Sequence, residues 1–155
     1  MSNWLGFTNQ KLYQASLLLD ELERGHGPAA MRTALEESAL YQMYDAWVSY
    51  LNELAGLAGY RQTVDSLEAM LNDVPLVTGE MTELRILRED SYSWLVAFLN
   101  TVASQAQPPQ PAQASDAISG LSLIAVADTA GADVRGWWQS LSDLIDSQRQ
   151  NRQES

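Results

Sequence analysis

Few side chains in this sequence could perform acid–base chemistry, and the first to consider is its single histidine, His26. It lies between two glycines in Gly25-His26-Gly27-Pro28, where the glycines and the proline predict a turn. A general base or a metal ligand needs an imidazole that neighbouring groups hold in one orientation, and a glycine-flanked turn rarely supplies such groups. We therefore interpret His26 as a solvated loop residue.

Three carboxylates have a spacing that would align them on one helix. Glu37, Asp45 and Glu53 follow one another at intervals of eight residues, which places them near one helix face. Helical bundles build di-iron sites from glutamates and Glu-x-x-His pairs, but no such pair occurs here. We interpret the three acids as a solvent-facing stripe. The alternative is a hard-cation site made of carboxylates alone, although no loop has the EF-hand pattern.

Motifs for nucleophilic catalysis and for phosphate binding are missing. Without cysteine there is no thiol nucleophile, thiolate metal site or disulfide, and the single lysine, Lys11, belongs to no Ser-x-x-Lys motif. The nine glycines stand singly or in pairs at predicted turns, so no phosphate-binding loop or dinucleotide fingerprint is present. The sequence therefore predicts no catalytic residue, no metal site and no cofactor.

The charge balance argues against two classes of partner. Twenty acidic and nine basic residues give a net charge of -11, which repels nucleic acids and anionic membrane surfaces and is compatible with basic protein partners. The most apolar run, Trp94 to Val102, has about half the length needed to span a bilayer. The first residues, MSNWLGFTNQK, lack the basic and apolar regions of a signal peptide. We predict a cytoplasmic protein that binds neither nucleic acid nor membrane.

The element that must position most of these residues is a long helix predicted from Met31 to Ala58, ending near Gly59. Its apolar residues recur at steps of three and four, and a second apolar set lies beside them. The two sets are Leu35, Ala39, Met43, Ala46, Trp47, Tyr50, Leu51, Leu54, Leu57 and Ala58, and Leu40, Tyr44 and Val48. An apolar face of this width is wider than a coiled-coil seam and predicts burial between at least two neighbouring helices.

The chain before the long helix predicts an arm followed by a first helix. Residues 1–7 hold Trp4, Leu5 and Phe7 in a short apolar arm. Thr8 or Asn9 can then cap the helix through a side-chain oxygen.

The chain after the long helix predicts three more helices. They are a short helix near Val64–Leu71, a fourth helix near Glu80–Ser104 and a last helix near Ala132–Gln148. Between the last two, residues 107–116 form a Pro/Gln/Ala-rich linker, and Leu121–Val126 favours an extended segment laid over the helices. Residues 149–155 are interpreted as a polar, frayed tail.

These elements predict an all-α protein. The favoured architecture for its 155 residues is a single domain, an up-and-down bundle of four main helices plus one short helix, with the proline-rich linker before the last helix. Aromatic residues lie at or beside the core-facing positions of three of these helices, and such stripes usually form a core.

The alternative for these aromatics is a groove that accepts an apolar ligand or a partner helix. The residues proposed for such contact are Tyr50, Trp94, Trp137 and Trp138. Because Trp137 and Trp138 are adjacent, they point about 100° apart on a helix, and at most one can face the centre of the bundle.

Several short stretches taken together are similar to a known family. They are Asn9-Gln10-Lys11-Leu12-Tyr13, Glu36-Glu37-Ser38-Ala39-Leu40-Tyr41, Glu53-Leu54-Ala55-Gly56, Ser93-Trp94-Leu95 and Leu123-Ile124-Ala125. The set resembles a family of small, uncharacterised bacterial helical proteins catalogued as a domain of unknown function. The resemblance implies one cytoplasmic bacterial domain along nearly the whole chain and implies no activity or cofactor.

Three hypotheses for function follow. The first is a non-enzymatic, acidic helical-bundle protein that acts through protein–protein contacts, including contacts within a homodimer. The second is a carrier or sensor of a small apolar ligand, with a pocket lined by Tyr50, Trp94 and Trp137. The third, which the sequence supports least, is a metal-dependent hydrolase that uses carboxylates alone.

Overall fold

A computed structural model describes residues 3–108 and 133–154. This part of the chain forms six helices and contains no strand, which confirms the predicted all-α class. The helices are α1 (Trp4–Glu23), α2 (Ala29–Leu57), α3 (Leu67–Asp73), α4 (Gly79–Glu89), α5 (Trp94–Gln105) and α6 (Val134–Glu154). The predicted segment Leu121–Val126 and residues 109–116 of the predicted linker lie outside the described residues.

Helices α1 and α2 form an antiparallel hairpin. Gly25 and Gly27 both have positive φ, which lets the connecting turn reverse the chain within a few residues. Thr8 near the start of α1 lies beside Ser49 near the end of α2, with their hydroxyl oxygens 2.7 Å apart. Both hydroxyls also lie within hydrogen-bond distance of the Trp4 carbonyl oxygen, so these small polar residues are satisfied in a closely packed seam.

Helix α2 ends at Leu57, and Gly59 provides the exit from the helix that the sequence predicts. Its φ of 88° places it in the left-handed region, and the Tyr60 N–H donates to the carbonyl of Ala55 at 2.9 Å while the Gly59 N–H donates to that of Gly56 at 3.1 Å. These two bonds are the pair of a Schellman motif, which satisfies carbonyls that a helix end leaves without partners.

Helix α6 packs against the α1–α2 hairpin and completes the core. Trp137, Leu141 and Ile145 recur at helical spacing on its buried side. Helices α3, α4 and α5 cover the remaining side, where α3 contacts α2 and α4, and α5 contacts α2, α4 and α6. The wide apolar face predicted for α2 is explained by this arrangement, because α2 is in contact with α1, α3, α5 and α6.

The start of α1 differs from the prediction. The helix begins at Trp4, so the expected apolar arm of residues 1–7 is helical from that residue on. Asn3 is the N-cap, and its side-chain oxygen accepts a hydrogen bond from the Gly6 N–H at 3.1 Å. Thr8, predicted as a possible cap, is instead buried inside the helix.

The predicted fourth helix is in fact two helices, α4 and α5, so the count of four main helices plus one short helix is wrong. The break lies at Asp90–Ser93, where the Asp90 carboxylate accepts a hydrogen bond from the Tyr92 N–H at 3.0 Å. Ser93 then caps α5 by accepting from the Val96 N–H, and its hydroxyl donates back to the Leu87 carbonyl at 2.6 Å. These side-chain bonds compete with the helical backbone bonds and end α4.

Residues 149–154 of the predicted polar, frayed tail are helical instead, and residue 155 lies outside the described residues. Helix α6 continues to Glu154, because Arg149 and Arg152 both form ion pairs with other helices.

Candidate interaction surfaces

Tyr50, one of the four predicted contact residues, is fully buried. Its hydroxyl donates to the Gln148 side-chain oxygen, and the Gln148 side-chain amide donates to the Glu80 carbonyl at 3.2 Å. Burial in the core raises the pKa of Tyr50 to about 12. The side chain therefore belongs to a polar junction between α2, α4 and α6 rather than to a ligand pocket.

The environment of Glu53 differs from the solvent exposure that the sequence predicts for it. Glu53 is 8% exposed, and its carboxylate accepts two hydrogen bonds from Arg149, at 3.2 Å from Nε and 2.8 Å from a terminal nitrogen. Arg149 also donates to the Asn9 side-chain oxygen at 2.7 Å, which links α6 to α1 and α2 together. The interpretation of Glu53 as part of a solvent-facing stripe is wrong, because α6 covers that end of α2.

A second arginine of α6, Arg152, also connects this helix to α4 and α2. Arg152 forms an ion pair with Glu80 of α4 and also donates to the Tyr50 hydroxyl at 3.4 Å. We call Tyr50, Glu53, Glu80, Arg149 and Arg152 the clasp. Planar guanidinium groups suit this task because one side chain can donate to several acceptors at once.

The other two acids of the predicted stripe remain at the surface. Glu37 is exposed, and Asp45 is exposed and paired with Lys11 of α1 at 3.1 Å. Among the described residues, no three His, Cys, Asp or Glu side chains come together in a group that could hold a metal ion. His26 is exposed in the turn between α1 and α2.

Trp137 lies in the core and Trp138 lies at the seam between α6 and α1, because adjacent residues of a helix point about 100° apart. Trp137 is buried. Trp138 is half-buried, and its indole N–H donates to the Leu12 carbonyl of α1 at 2.9 Å.

The Arg135 guanidinium lies 5.5 Å from the centre of the Trp138 ring and pairs with Glu23 and Asp20. Its hydrogen bond to Glu23 raises the pKa of Arg135 above the ordinary value.

An apolar groove of about 370 Å³ lies between α2, α3 and α5. Its lining is formed by Tyr41, Tyr44, Trp47, Ser66, Leu67, Glu68, Arg88, Leu99, Val102, Ala103 and Ala106. An ion pair between Arg88 and Glu68, at 3.5 Å, borders it on the α3–α4 side. None of Tyr50, Trp94, Trp137 and Trp138 lines this groove, and Trp94 is half-buried against the core.

The outer face of α1 carries a row of exposed apolar side chains. Leu5, Tyr13 and Leu17 are 52%, 64% and 48% exposed. With the exposed Asn9, whose side-chain oxygen accepts a hydrogen bond from Arg149 of α6, they recur every four residues and form one ridge along the helix. We use the term outer face of α1 for these four residues.

Comparison with known proteins places the chain in a family. A model of a family of unknown function, DUF6586, matches residues 1–155. The chain belongs to this family. The predicted resemblance to a domain of unknown function is thus confirmed over the whole length. No curated protein and no solved structure matches this DUF6586 protein.

None of the described helices of this DUF6586 member combines the length and the apolar character needed to cross a membrane.

Sequence reasoning missed the clasp and the outer face of α1. A signal for the clasp is present in Arg149 and Arg152, which are three residues apart and so lie on one side of a helix if α6 extends past Gln148. A signal for the outer face is the spacing of Leu5, Tyr13 and Leu17 at multiples of four, offset from the buried row of Leu12, Ala15 and Leu19.

Proposed function

We propose that this DUF6586 protein is a non-enzymatic interaction protein that binds a protein partner through the outer face of α1. The observation that carries the proposal is the exposure of Leu5, Tyr13 and Leu17 in one row on a regular helix. Single exposed apolar residues are common on protein surfaces, whereas apolar residues that form a contiguous patch mark interaction sites.

The scaffold of the proposal is an up-and-down bundle in which α1, α2, α5 and α6 are the main helices. In this arrangement the inner side of α1 is occupied by α2 and α6, since Thr8 meets Ser49 and Leu12 accepts a hydrogen bond from Trp138. Leu5, Tyr13 and Leu17 stay exposed beside these contacts and are available to a partner. The bacterial cytoplasm remains the predicted setting for this role.

Site-specific photo-crosslinking in the native cells tests the proposal. Benzoylphenylalanine introduced at the position of Tyr13 should yield a covalent adduct with a protein, because the ring at this position reaches into the proposed contact. The same group at the position of Glu83, which is exposed on α4, is the matched control. Equal adduct yields at positions 13 and 83 would contradict an interaction through the outer face of α1.

The groove between α2, α3 and α5 supports a second candidate function, that of a carrier or sensor of a small apolar ligand. Its volume of about 370 Å³ lies within the range of roughly 300–1,000 Å³ that is typical of ligand pockets, and aromatic and aliphatic side chains dominate its lining. The same photo-reactive group at Tyr41, on the groove wall, distinguishes the two functions. A small-molecule adduct at Tyr41 without a protein adduct at Tyr13 would favour the carrier.

A further inference from the structure

We infer that the partner on the outer face of α1 is a second copy of this chain, packed antiparallel on the same face. The inference rests on the proposed function, because it names the occupant of the surface proposed there. Three properties of α1 support it: the lack of charge on the face, the order of its side chains and the charges at the helix ends.

The four residues of the outer face of α1 carry no charge in a strongly acidic protein, and the Arg149 guanidinium that donates to Asn9 is paired with Glu53. The net charge of -11 opposes contact between two copies, except through surface that carries no acid. Lys11 is the sole charged residue from Asn3 to Leu19. Its side chain is 18% exposed and is directed to Asp45 of α2, at 3.1 Å. Two copies can therefore bring these faces together without placing acids against acids.

The order of side chains on this face is self-complementary. In a two-fold contact each pair of residues occurs twice, so the face must match its own reverse. If the two-fold axis passes beside position 11, Leu5 of one copy lies opposite Leu17 of the other, and Asn9 lies opposite Tyr13. Leucine then meets leucine at both ends, and the Tyr13 ring packs beside the Asn9 amide, whose oxygen accepts from Arg149 and whose NH2 group can donate to the Tyr13 hydroxyl.

The ends of α1 favour the antiparallel orientation over the parallel one. Helix α1 has no acidic residue in its first turn and no basic residue in its last turn, where Asp20 and Glu23 lie instead. A parallel pair would place these two acids, which share the single positive charge of Arg135, beside the same acids of the second copy. An antiparallel pair places them near the N-terminal end of the second α1, where the helix dipole is positive.

The size of the face sets the strength of the association. Its exposed apolar side chains make a patch of roughly 300 Å² per copy, comparable to interaction patches on monomeric proteins. Two such faces bury less than the total of about 1,200 Å² of a standard stable interface. The expected dimer is reversible, with a dissociation constant on the order of 100 µM.

Sedimentation equilibrium on the full chain, from about 10 µM to about 1 mM, tests the inference. The wild type should pass from monomer to dimer within this range. The double variant Tyr13→Glu, Leu17→Glu should weaken association by roughly tenfold or more, because it puts carboxylates into the apolar contact of both copies. Ile86→Glu on α4 is the control, since Ile86 is 61% exposed and the change introduces a carboxylate elsewhere. Added salt should strengthen association by screening the net repulsion.

Disulfide trapping tests the register independently. The chain has no cysteine, so Leu5→Cys and Leu17→Cys each introduce a single thiol. When the two variants are mixed under oxidising conditions, the mixed disulfide should form roughly ten times faster than either symmetric one, because only the antiparallel register brings positions 5 and 17 together. Equal rates for all three disulfides would overturn the inference.

Two further outcomes would also overturn the inference of a second copy. One is a chain that stays monomeric at the highest concentration, and the other is an association that added salt weakens. The crosslinking at Tyr13 then separates the two proposals. If the chain is monomeric and Tyr13 crosslinks to a different protein, the second-copy inference fails and the proposed function stands. If the chain is monomeric and Tyr13 gives no more adduct than Glu83, both fail.

Discussion

The hydroxyl of Tyr50 shows how burial changes the chemistry of one residue. Because its pKa is raised from 10 to about 12, the folded state holds the hydroxyl proton more tightly than the unfolded state does. The stability that this difference contributes is fully present below pH 10 and is lost as the pH rises through 12. Between pH 9 and pH 11.5 the wild type should therefore lose about 2 kcal/mol of unfolding free energy through Tyr50.

Tyr50→Phe removes this dependence and provides the test. Urea unfolding followed by circular dichroism should give a shallower loss of stability for the variant over the same pH range. At pH 9 the variant should be less stable than the wild type by about 1 kcal/mol, because the Gln148 side-chain oxygen loses its donor. Tyr92→Phe is the control: Tyr92 is 97% exposed, so its hydroxyl is hydrated in both states. Parallel curves for all three proteins would show that burial of Tyr50 does not set the alkaline stability.

Residue types and spacing alone did not distinguish Glu53 from Glu37 and Asp45. All three acids have the same interval along α2, and two of them are exposed while Glu53 is buried under Arg149. The difference arises from a residue 96 positions away, which no local pattern contains. By contrast, the interpretation of His26 needed only its two flanking glycines, and the structure exposes it.

At the scale of elements, the prediction was most accurate where the apolar pattern was longest. The helix predicted from Met31 to Ala58 is observed as Ala29–Leu57, since six turns of apolar residues leave little choice of structure. The break between α4 and α5 was missed because the apolar stripe continues in phase through Asp90–Ser93. Only the side-chain bonds of Asp90 and Ser93 reveal the break.

Two glycine-to-alanine substitutions at the end of α2 should change the stability of the protein in opposite directions. Gly56 lies within the helix, and a Cβ there would meet nothing within 4 Å. Gly56→Ala should therefore stabilise the protein by about 0.5 kcal/mol through better helix propensity. Gly59 has a φ of 88°, so Gly59→Ala should destabilise it by about 1 kcal/mol through backbone strain.

Thermal unfolding of the two glycine variants measures this contrast. A change of 1 kcal/mol corresponds to about 2–4 °C in Tm for a protein of this size, so the two variants should differ by several degrees. The contrast depends on the backbone alone, because a Cβ at Gly59 would also meet nothing within 4 Å. A rise in Tm for Gly59→Ala would contradict the role assigned to its left-handed conformation.

At the scale of the whole molecule, the sequence predicts the helices but not how α6 is attached to them. Arg149 and Arg152 follow the apolar part of α6, within a polar run that resembles a frayed end. Their partners lie on α1, α2 and α4, so the helical structure of residues 149–154 depends on contacts between distant parts of the chain. The clasp therefore joins α2, α4 and α6, and the hydrogen bond from Arg149 to Asn9 adds α1 at the same end of the protein.

Shortening the chain measures what the clasp contributes. Deletion of residues 149–155 leaves the Glu53 carboxylate buried without Arg149, and breaking a buried ion pair in this way costs about 3–5 kcal/mol. Deletion of residues 153–155 keeps both arginines and should change the unfolding free energy by less than about 0.5 kcal/mol, because these residues lie outside the clasp. Urea unfolding of the two shortened chains gives both values. In the chain that ends at Gln148, Glu53→Met should restore at least half of the lost stability, since it removes the unpaired charge while keeping the packing volume. Equal stability of the two shortened chains, or no recovery with Glu53→Met, would show that α6 is held by its apolar face alone.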